Sequence, residues 1–245
     1  MITRREFSSL FPALFASRAF SSTRQDDSIR RAIPSSMEKI PVIGMGTSRT
    51  FNIQNDSDIN GLLEVLNAFV EGGGLVIDSS PMYGNAESTV GQALNLTKLP
   101  KKLFFATKVW TEGRQAGIEQ MRLSAKRMGS DTLDLIAVHN LLDWKTQLST
   151  LKRWKEEGKV RYIGITTSHG RYHEELLRIM RVDKIDFVQF SYNIQDRQAE
   201  RDLLPLAIDQ GIATMINRPF ARGSLFKATK ENPVPEFARE LGINS

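Results

Sequence analysis

The chain is 245 residues long, 40% apolar, with a formal charge of +5, which is enough for one domain with a sizeable core. It has no cysteine, so disulfides, thiolate nucleophiles and Cys-based metal sites are excluded. Residues 1–36 hold six Arg and Lys against three acids, leaving 27 against 25 in the rest, so the body is near neutral and carries no nucleic-acid footprint.

The first 36 residues read as a targeting segment outside the fold. "TRREFSSLFPALFASRAFSSTR" opens with adjacent Arg4 and Arg5, then Phe7 and a short apolar stretch to Phe15. It resembles a twin-arginine signal, which implies a periplasmic or exported protein that meets the twin-arginine export machinery. Ser8, Ser9 and Pro12 interrupt the apolar stretch, and the Arg- and Ser-rich composition also suits a mitochondrial transit peptide. A cytoplasmic protein with a disordered tail is the third option. No membrane span is expected, because crossing a bilayer takes about 20 apolar residues.

From Lys39 onward, short apolar runs alternate with segments of helical period. "IPVIGMGT" is the first predicted strand. Over Asp58 to Glu71 the residues Ile59, Leu62, Leu63, Leu66, Phe69 and Val70 follow i, i+3, i+4, i+7 spacing, which predicts a half-buried helix. Asp56 or Ser57 would cap its start and "GGG" at 72–74 would end it. "LVID" is the second strand, Asn85–Leu96 a helix, "KLFFATKVW" the third strand, Gly117–Met128 a helix with Met121 and Met128 inward, and "LDLIAVHN" the fourth strand. A helix over Thr146–Glu157 follows, then "VRYIGITTS", a helix over Tyr172–Arg181, "IDFVQFSYN", a helix over Gln198–Gln210, and "IATMINRPF". Strands apolar on both faces and separated by helices predict parallel pairing through right-handed crossovers.

A doubly wound sheet would want a glycine-rich phosphate loop after its first strand, and "GMGTSR" lacks the third glycine. A TIM (β/α)8-type barrel would instead gather its chemistry at the C-terminal ends of several strands. The strand ends do carry such residues. The second strand delivers Asp78 and, just beyond it, Tyr83; the third delivers Lys108; the fourth delivers His139. A phenol, with an ordinary pKa of about 10, is a reluctant acid. An ammonium beside it is expected to favour the phenolate, so that the phenol can release its proton to a developing alkoxide. The carboxylate would keep the lysine charged, and the imidazole would hydrogen-bond the substrate oxygen. This set suits protonation of a carbonyl oxygen while something else delivers hydride to carbon. His169 and His173 match no such role and are expected to be solvated. No metal-ligand set is expected.

On these residues the sequence resembles the aldo-keto reductase family. The family's Asp, Tyr, Lys and His tetrad matches Asp78, Tyr83, Lys108 and His139 in order. The run from Asp78 through Ser80, Tyr83 and Gly84 to Glu87 resembles its Asp-x-(Ala/Ser)-x-x-Tyr-Gly-x-x-Glu, and "EEGKVRYIGIT" resembles its run from the fourth helix into the fifth strand. The resemblance covers residues 39–245 and implies NADPH-dependent reduction of an aldehyde or ketone to an alcohol, with a small carbonyl compound as substrate. It implies a nicotinamide-carboxamide role for Gln189, for Thr166 and Thr167 where many members have Ser-Asn, and a place near the cofactor for Thr47. Many members stack a tyrosine on the nicotinamide; this chain has Asn217 there. Arg218, Phe220 and Arg222 are expected near the cofactor's pyrophosphate, and Trp110 would wall the substrate pocket.

The predicted domain runs over residues 37–245 and ends at "PVPEFARELGINS", which reads as the opening of a seventh helix, so about seven of eight barrel strands are expected. The segment that grips the adenosine 2′-phosphate in the family is not matched. A non-catalytic binding or regulatory protein on the same scaffold, or an inactive truncated copy, is the alternative expectation.

Overall fold

The computed structural model describes residues 28–55, 59–97, 103–168, 170–230 and 232–243. A short hairpin, β1 (Arg30–Ala32) paired antiparallel with β2 (Lys39–Pro41), comes first. Among the described residues, seven parallel strands then form one sheet: β3 (Gly44–Gly46), β4 (Val76–Asp78), β5 (Phe104–Val109), β6 (Leu133–His139), β7 (Val160–Thr166), β8 (Phe187–Ser191) and β9 (Ala213–Asn217). They pair strictly in chain order, with β3 and β9 at the two edges. Helices α1 (Ile59–Glu71), α2 (Ala86–Leu96), α3 (Arg114–Arg127), α4 (Trp144–Glu156), α5 (His173–Val182) and α6 (Leu203–Asp209) separate β3 to β9. Two shorter helices, α7 (Ser224–Thr229) and α8 (Glu236–Glu240), follow β9. This is the TIM-barrel type of architecture, curled but open between β3 and β9 among the described residues.

The strands are buried because both faces are covered. Every residue of β6 and β8 is buried, and β5 and β7 are buried at all but one position each. One face of the sheet meets the helices through Ile77, Val109, Ile136, Val138, Ile163, Ile165, Val188 and Phe190, packed with Leu66, Val90, Met121, Leu148, Leu151 and Ile179. Met121 and Met128 lie in this layer, as their spacing predicts.

The other face is the barrel interior, and its side chains alternate along each strand with period two. Low in the barrel it holds Val76, Phe104, Leu135, Tyr162 and Phe187, whose rings stack or cross at 5.8–6.2 Å. Two or four positions further along the same strands, the same face carries Asp78, Lys108, His139, Thr166 and Gln189. One pleat therefore supplies an apolar floor and a polar mouth.

The β1–β2 hairpin closes the floor from below. Ile33, at its turn, is 1% exposed and joins the lower cluster. The Tyr162 hydroxyl donates to Glu38 at 2.6 Å and lies 2.7 Å from the Ser36 hydroxyl. Arg161 bridges Glu38 and Asp134.

This hairpin corrects the expected boundary. Residues 30–36 belong to the fold, and the reading of 1–36 as an external segment missed them because "RRAIPSSMEKIP" has neither helical nor strand period. The remainder of that segment, including Arg4 and Arg5, lies outside the described residues, as do Asp56, Ser57 and His169. The single run "IPVIGMGT" likewise divides into β2 and β3. The helix expected over 198–210 is a 3-10 turn at Gln198–Glu200 followed by α6. Pro205 causes the break: it has no N–H for the Arg201 carbonyl that a continuous helix would pair with it. No helix among the described residues is long and apolar enough to cross a membrane.

Candidate active site

The parallel register aligns the strand ends. Asp78 lies beside Ala106, Lys108 beside Ala137, His139 beside Thr166, and Thr166 beside Gln189. Lys108 is 1% exposed and donates to Asp78 Oδ1 at 2.7 Å and to the Ser79 carbonyl at 2.6 Å. Its ammonium lies 5.6 Å from the centre of the Tyr83 ring. The Tyr83 and His139 rings meet edge to face, centroids 5.9 Å apart. Asp78, Tyr83, Lys108 and His139, far apart in the chain, are thus brought to one place at the barrel mouth.

Tyr83 is held by the turn between β4 and α2. Its backbone N–H donates to the Ser80 carbonyl at 3.0 Å. Gly84 follows with φ +61°, a left-handed conformation that side chains disfavour. Asn52 closes the turn by accepting from the Asn85 N–H at 2.9 Å, and its Oδ1 sits where a Cβ at Gly84 would fall. Below the turn, the buried carboxylate of Glu87 accepts from Thr107 at 2.6 Å and lies 3.5 Å from Arg127, tying α2 to β5 and α3.

The electrostatics differ in one respect from the sequence expectation. Burial raises the Tyr83 phenol above its ordinary 10, and the Asp78 charge adds to that; Lys108, Arg218 and Arg222 act against it without reversing it. The ammonium therefore limits the rise rather than producing a low-pKa phenol in the protein by itself. Burial, then the Lys108 charge, push the His139 imidazole down to about 3, so it is neutral at physiological pH.

Gln189 joins the tetrad directly: its Nε2 donates to Asp78 Oδ2 at 3.0 Å and to Met215 Sδ at 3.1 Å. Thr47, just past β3, and Thr166 and Thr167, at the end of β7, are buried. The Thr47 hydroxyl is occupied by the Asp78 carbonyl at 3.2 Å and the Ser79 hydroxyl at 2.9 Å. Thr167 Oγ1 and Ser191 Oγ are buried with no hydrogen-bond partner among the described residues. Asn217 closes β9, and its Nδ2 donates to the Thr167 carbonyl at 3.0 Å.

Arg218 and Arg222 have positive φ, 54° and 57°, in the loop after β9. Burial and the neighbouring Arg222 charge lower the Arg218 guanidinium. Phe220, by contrast, is exposed and packs on Phe226 of α7 at 5.0 Å; the described contacts do not bring it to the tetrad. Trp110 follows the end of β5, is 39% exposed, and is pinned through its backbone by Gln120.

Ser191, with its buried hydroxyl, escaped the sequence reading, as did three residues that touch the tetrad or Gln189. Ser79 and Ser80, both fully buried, touch Lys108 and His139, and Met215 touches Gln189. The doubled serine directly after Asp78 was the available signal. Met215 had none beyond its place in an apolar run. His173, expected in solvent, is 5% exposed; its ring lies edge-on to Phe190 at 6.2 Å.

Comparison with known proteins gives a consistent result. The profile described as Aldo/keto reductase family matches residues 42–241. Among curated proteins, "Methylglyoxal reductase YeaE" of Escherichia coli K12 is 29% identical over 202 residues, covering 80% of this chain and 70% of that protein. The "NADH-specific methylglyoxal reductase" of the same organism is 29% identical over 197 residues, covering 67% and 58%. The chain thus spans 58–70% of the length of these two relatives. Among solved structures, a thermostable aldo-keto reductase crystallised with the inhibitor epalrestat superposes with a TM-score of 0.71 at 26% identity, covering 88% of this chain and 81% of that one. An aldo/keto reductase from Klebsiella pneumoniae, solved with NADP and acetate, has the same fold, with a TM-score of 0.70 at 23% identity over 85% and 75%.

Proposed function

The chain belongs to the aldo/keto reductase family, and from that premise we propose that it reduces an aldehyde or ketone to an alcohol with NADPH, Tyr83 supplying the proton. The observation that carries this reading is the Tyr83–Lys108–Asp78 contact set with His139 alongside.

The residues at the strand ends fit a nicotinamide. A carboxamide both donates and accepts, which matches the two orphaned hydroxyls of Thr167 and Ser191. Gln189 spends both amide hydrogens on Asp78 and Met215, which leaves its Oε1 to accept from the carboxamide. Thr166 and Asn217 flank that position, and Arg218 and Arg222 offer cationic charge to the diphosphate. When bound, the reduced nicotinamide supplies hydride to the carbonyl carbon.

Each tetrad residue then has one task. The Tyr83 hydroxyl gives its proton to the oxygen as negative charge develops there. Lys108, fixed by Asp78 and the Ser79 carbonyl, stabilises the phenolate left behind. Neutral His139 hydrogen-bonds the same oxygen and orients it. Trp110 walls the substrate. Two of the relatives are named methylglyoxal reductases, so 2-oxoaldehydes head the substrate panel.

The test is a titration of intrinsic fluorescence with NADPH and NADH, followed by the nicotinamide absorbance with methylglyoxal and other aldehydes and ketones. Saturable quenching with turnover supports the reading. Binding without turnover on any carbonyl favours a regulatory protein on the same scaffold. We read Arg4 and Arg5 as an export signal, a route that moves folded proteins and suits one that takes up its cofactor first. Cell fractionation of the Arg4→Lys, Arg5→Lys double variant tests that reading, with retention in the cytoplasm as the expected result.

A further inference from the structure

We propose that Ser80 is a positioning residue: its hydroxyl donates to His139 Nδ1 and so fixes the imidazole as the tautomer whose Nε2–H faces the substrate oxygen. This rests on the role assigned above to His139.

Ser80 Oγ lies 2.9 Å from His139 Nδ1 and accepts the Met82 backbone N–H at 3.2 Å. The serine is fully buried, so no water competes. A hydroxyl has one proton and two lone pairs. If Nδ1 carried the imidazole proton, Ser80 would accept from both His139 and Met82, and its own proton would point at nothing. No other described acceptor lies within hydrogen-bonding distance of it. An unmet donor in a buried site is disfavoured. If Ser80 donates to a bare Nδ1, every group in the trio is satisfied.

The doubly protonated ring is disfavoured on independent grounds, because the Lys108 ammonium lies nearby and the ring is buried. That leaves Nε2 as the protonated nitrogen. No described residue hydrogen-bonds Nε2, so this donor is available to a ligand at the mouth. The tripeptide Asp78–Ser79–Ser80 then touches two further tetrad members: a carboxylate and a carbonyl on Lys108, and a hydroxyl on His139.

The test is nitrogen-15 NMR of the full chain, labelled at histidine and free of cofactor, and so independent of turnover. The chain has three histidines, and the His139 signals are identified by their loss in His139→Gln. The wild type is expected to show a protonated Nε2 and a bare, hydrogen-bonded Nδ1, unchanged from pH 8 to pH 5. In Ser80→Ala the Nδ1 signal should move to that of an unbonded acceptor or into a tautomer average. Its kcat should fall about tenfold, the scale of one hydrogen bond, with cofactor affinity retained. A protonated Nδ1 in the wild type overturns the proposal, and that arm needs no variant to fold. So does a Ser80→Ala variant whose Nδ1 signal or kcat matches the wild type. If the spectra are as expected but the wild type turns over no carbonyl, the tautomer assignment stands and the reductase reading fails.

Discussion

Replacing Lys108 with methionine removes the cation and keeps an unbranched side chain of similar length in a closed site. Two hydrogen bonds are lost, at 2.7 Å to Asp78 Oδ1 and 2.6 Å to the Ser79 carbonyl. Asp78 keeps the Gln189 amide at 3.0 Å, and its side chain is 17% exposed, so water offsets part of the loss. Breaking a fully buried pair costs about 3–5 kcal/mol, and the partial exposure brings the expected value to about 2–3 kcal/mol. In a chain of this length that is a drop of about 5–10 °C in Tm.

The effect on chemistry is larger and separable. Lys108 is the strongest influence holding the Tyr83 phenol down against burial. Without it the phenolate is disfavoured and the pKa rises further, by about 1.4 kcal/mol for each unit. Proton transfer by a positioned acid contributes about 10²–10⁴-fold, so kcat for carbonyl reduction should fall by that factor. The reverse reaction, which needs the phenolate, should have the acidic limb of its pH profile move to higher pH. The assay is steady-state kcat at saturating cofactor, paired with a thermal melt. A loss under tenfold in a folded variant refutes the role given to Lys108.

Further perturbations address the surroundings. His139 is neutral when buried, with a pKa of about 3 against 6.5 in the unfolded chain. Its contribution is complete above pH 6.5 and is lost as pH falls through that window, by about 2 kcal/mol between pH 7 and pH 5. Urea unfolding of His139→Asn should show that much less acid sensitivity than wild type. Gly84→Ala forces a side chain into φ +61° against Asn52 and should cost about 1–3 kcal/mol, with a comparable loss of Tm and a weakened kcat. Deleting residues 28–36 in addition to those before them should destabilise the protein by at least the cost of emptying the Ile33 site, about 2–5 kcal/mol. Equal Tm values for the two truncations would return the boundary to residue 36.

The barrel was legible because its strands are apolar on both faces, a pattern that β5 to β8 share and that only a sheet covered on both sides tolerates. The tetrad was legible for a related reason. Asp78, Lys108 and His139 each interrupt an apolar run at its C-terminal end, where a parallel barrel collects its side chains. Local pattern could not reveal contacts made across the fold. Ile33 sits among polar residues and finds its core only when the hairpin folds under the barrel. Ser80 reads as a turn former until His139 arrives from a distant strand. Phe220 has no direction legible in the sequence, because a loop after a strand has no period from which to read one. The phenol's raised pKa escaped for a different reason: the sequence names the cation but not the depth of burial that outweighs it.

The most direct measurement compares wild type with Tyr83→Phe, following NADPH binding by fluorescence and its consumption with methylglyoxal and an aldehyde panel in the same samples. Equal cofactor affinity in the two proteins, with consumption reduced by about 10²-fold or more in the variant, is the predicted result. A phenylalanine variant that turns over the same substrate at near wild-type rate would show that the proton comes from elsewhere.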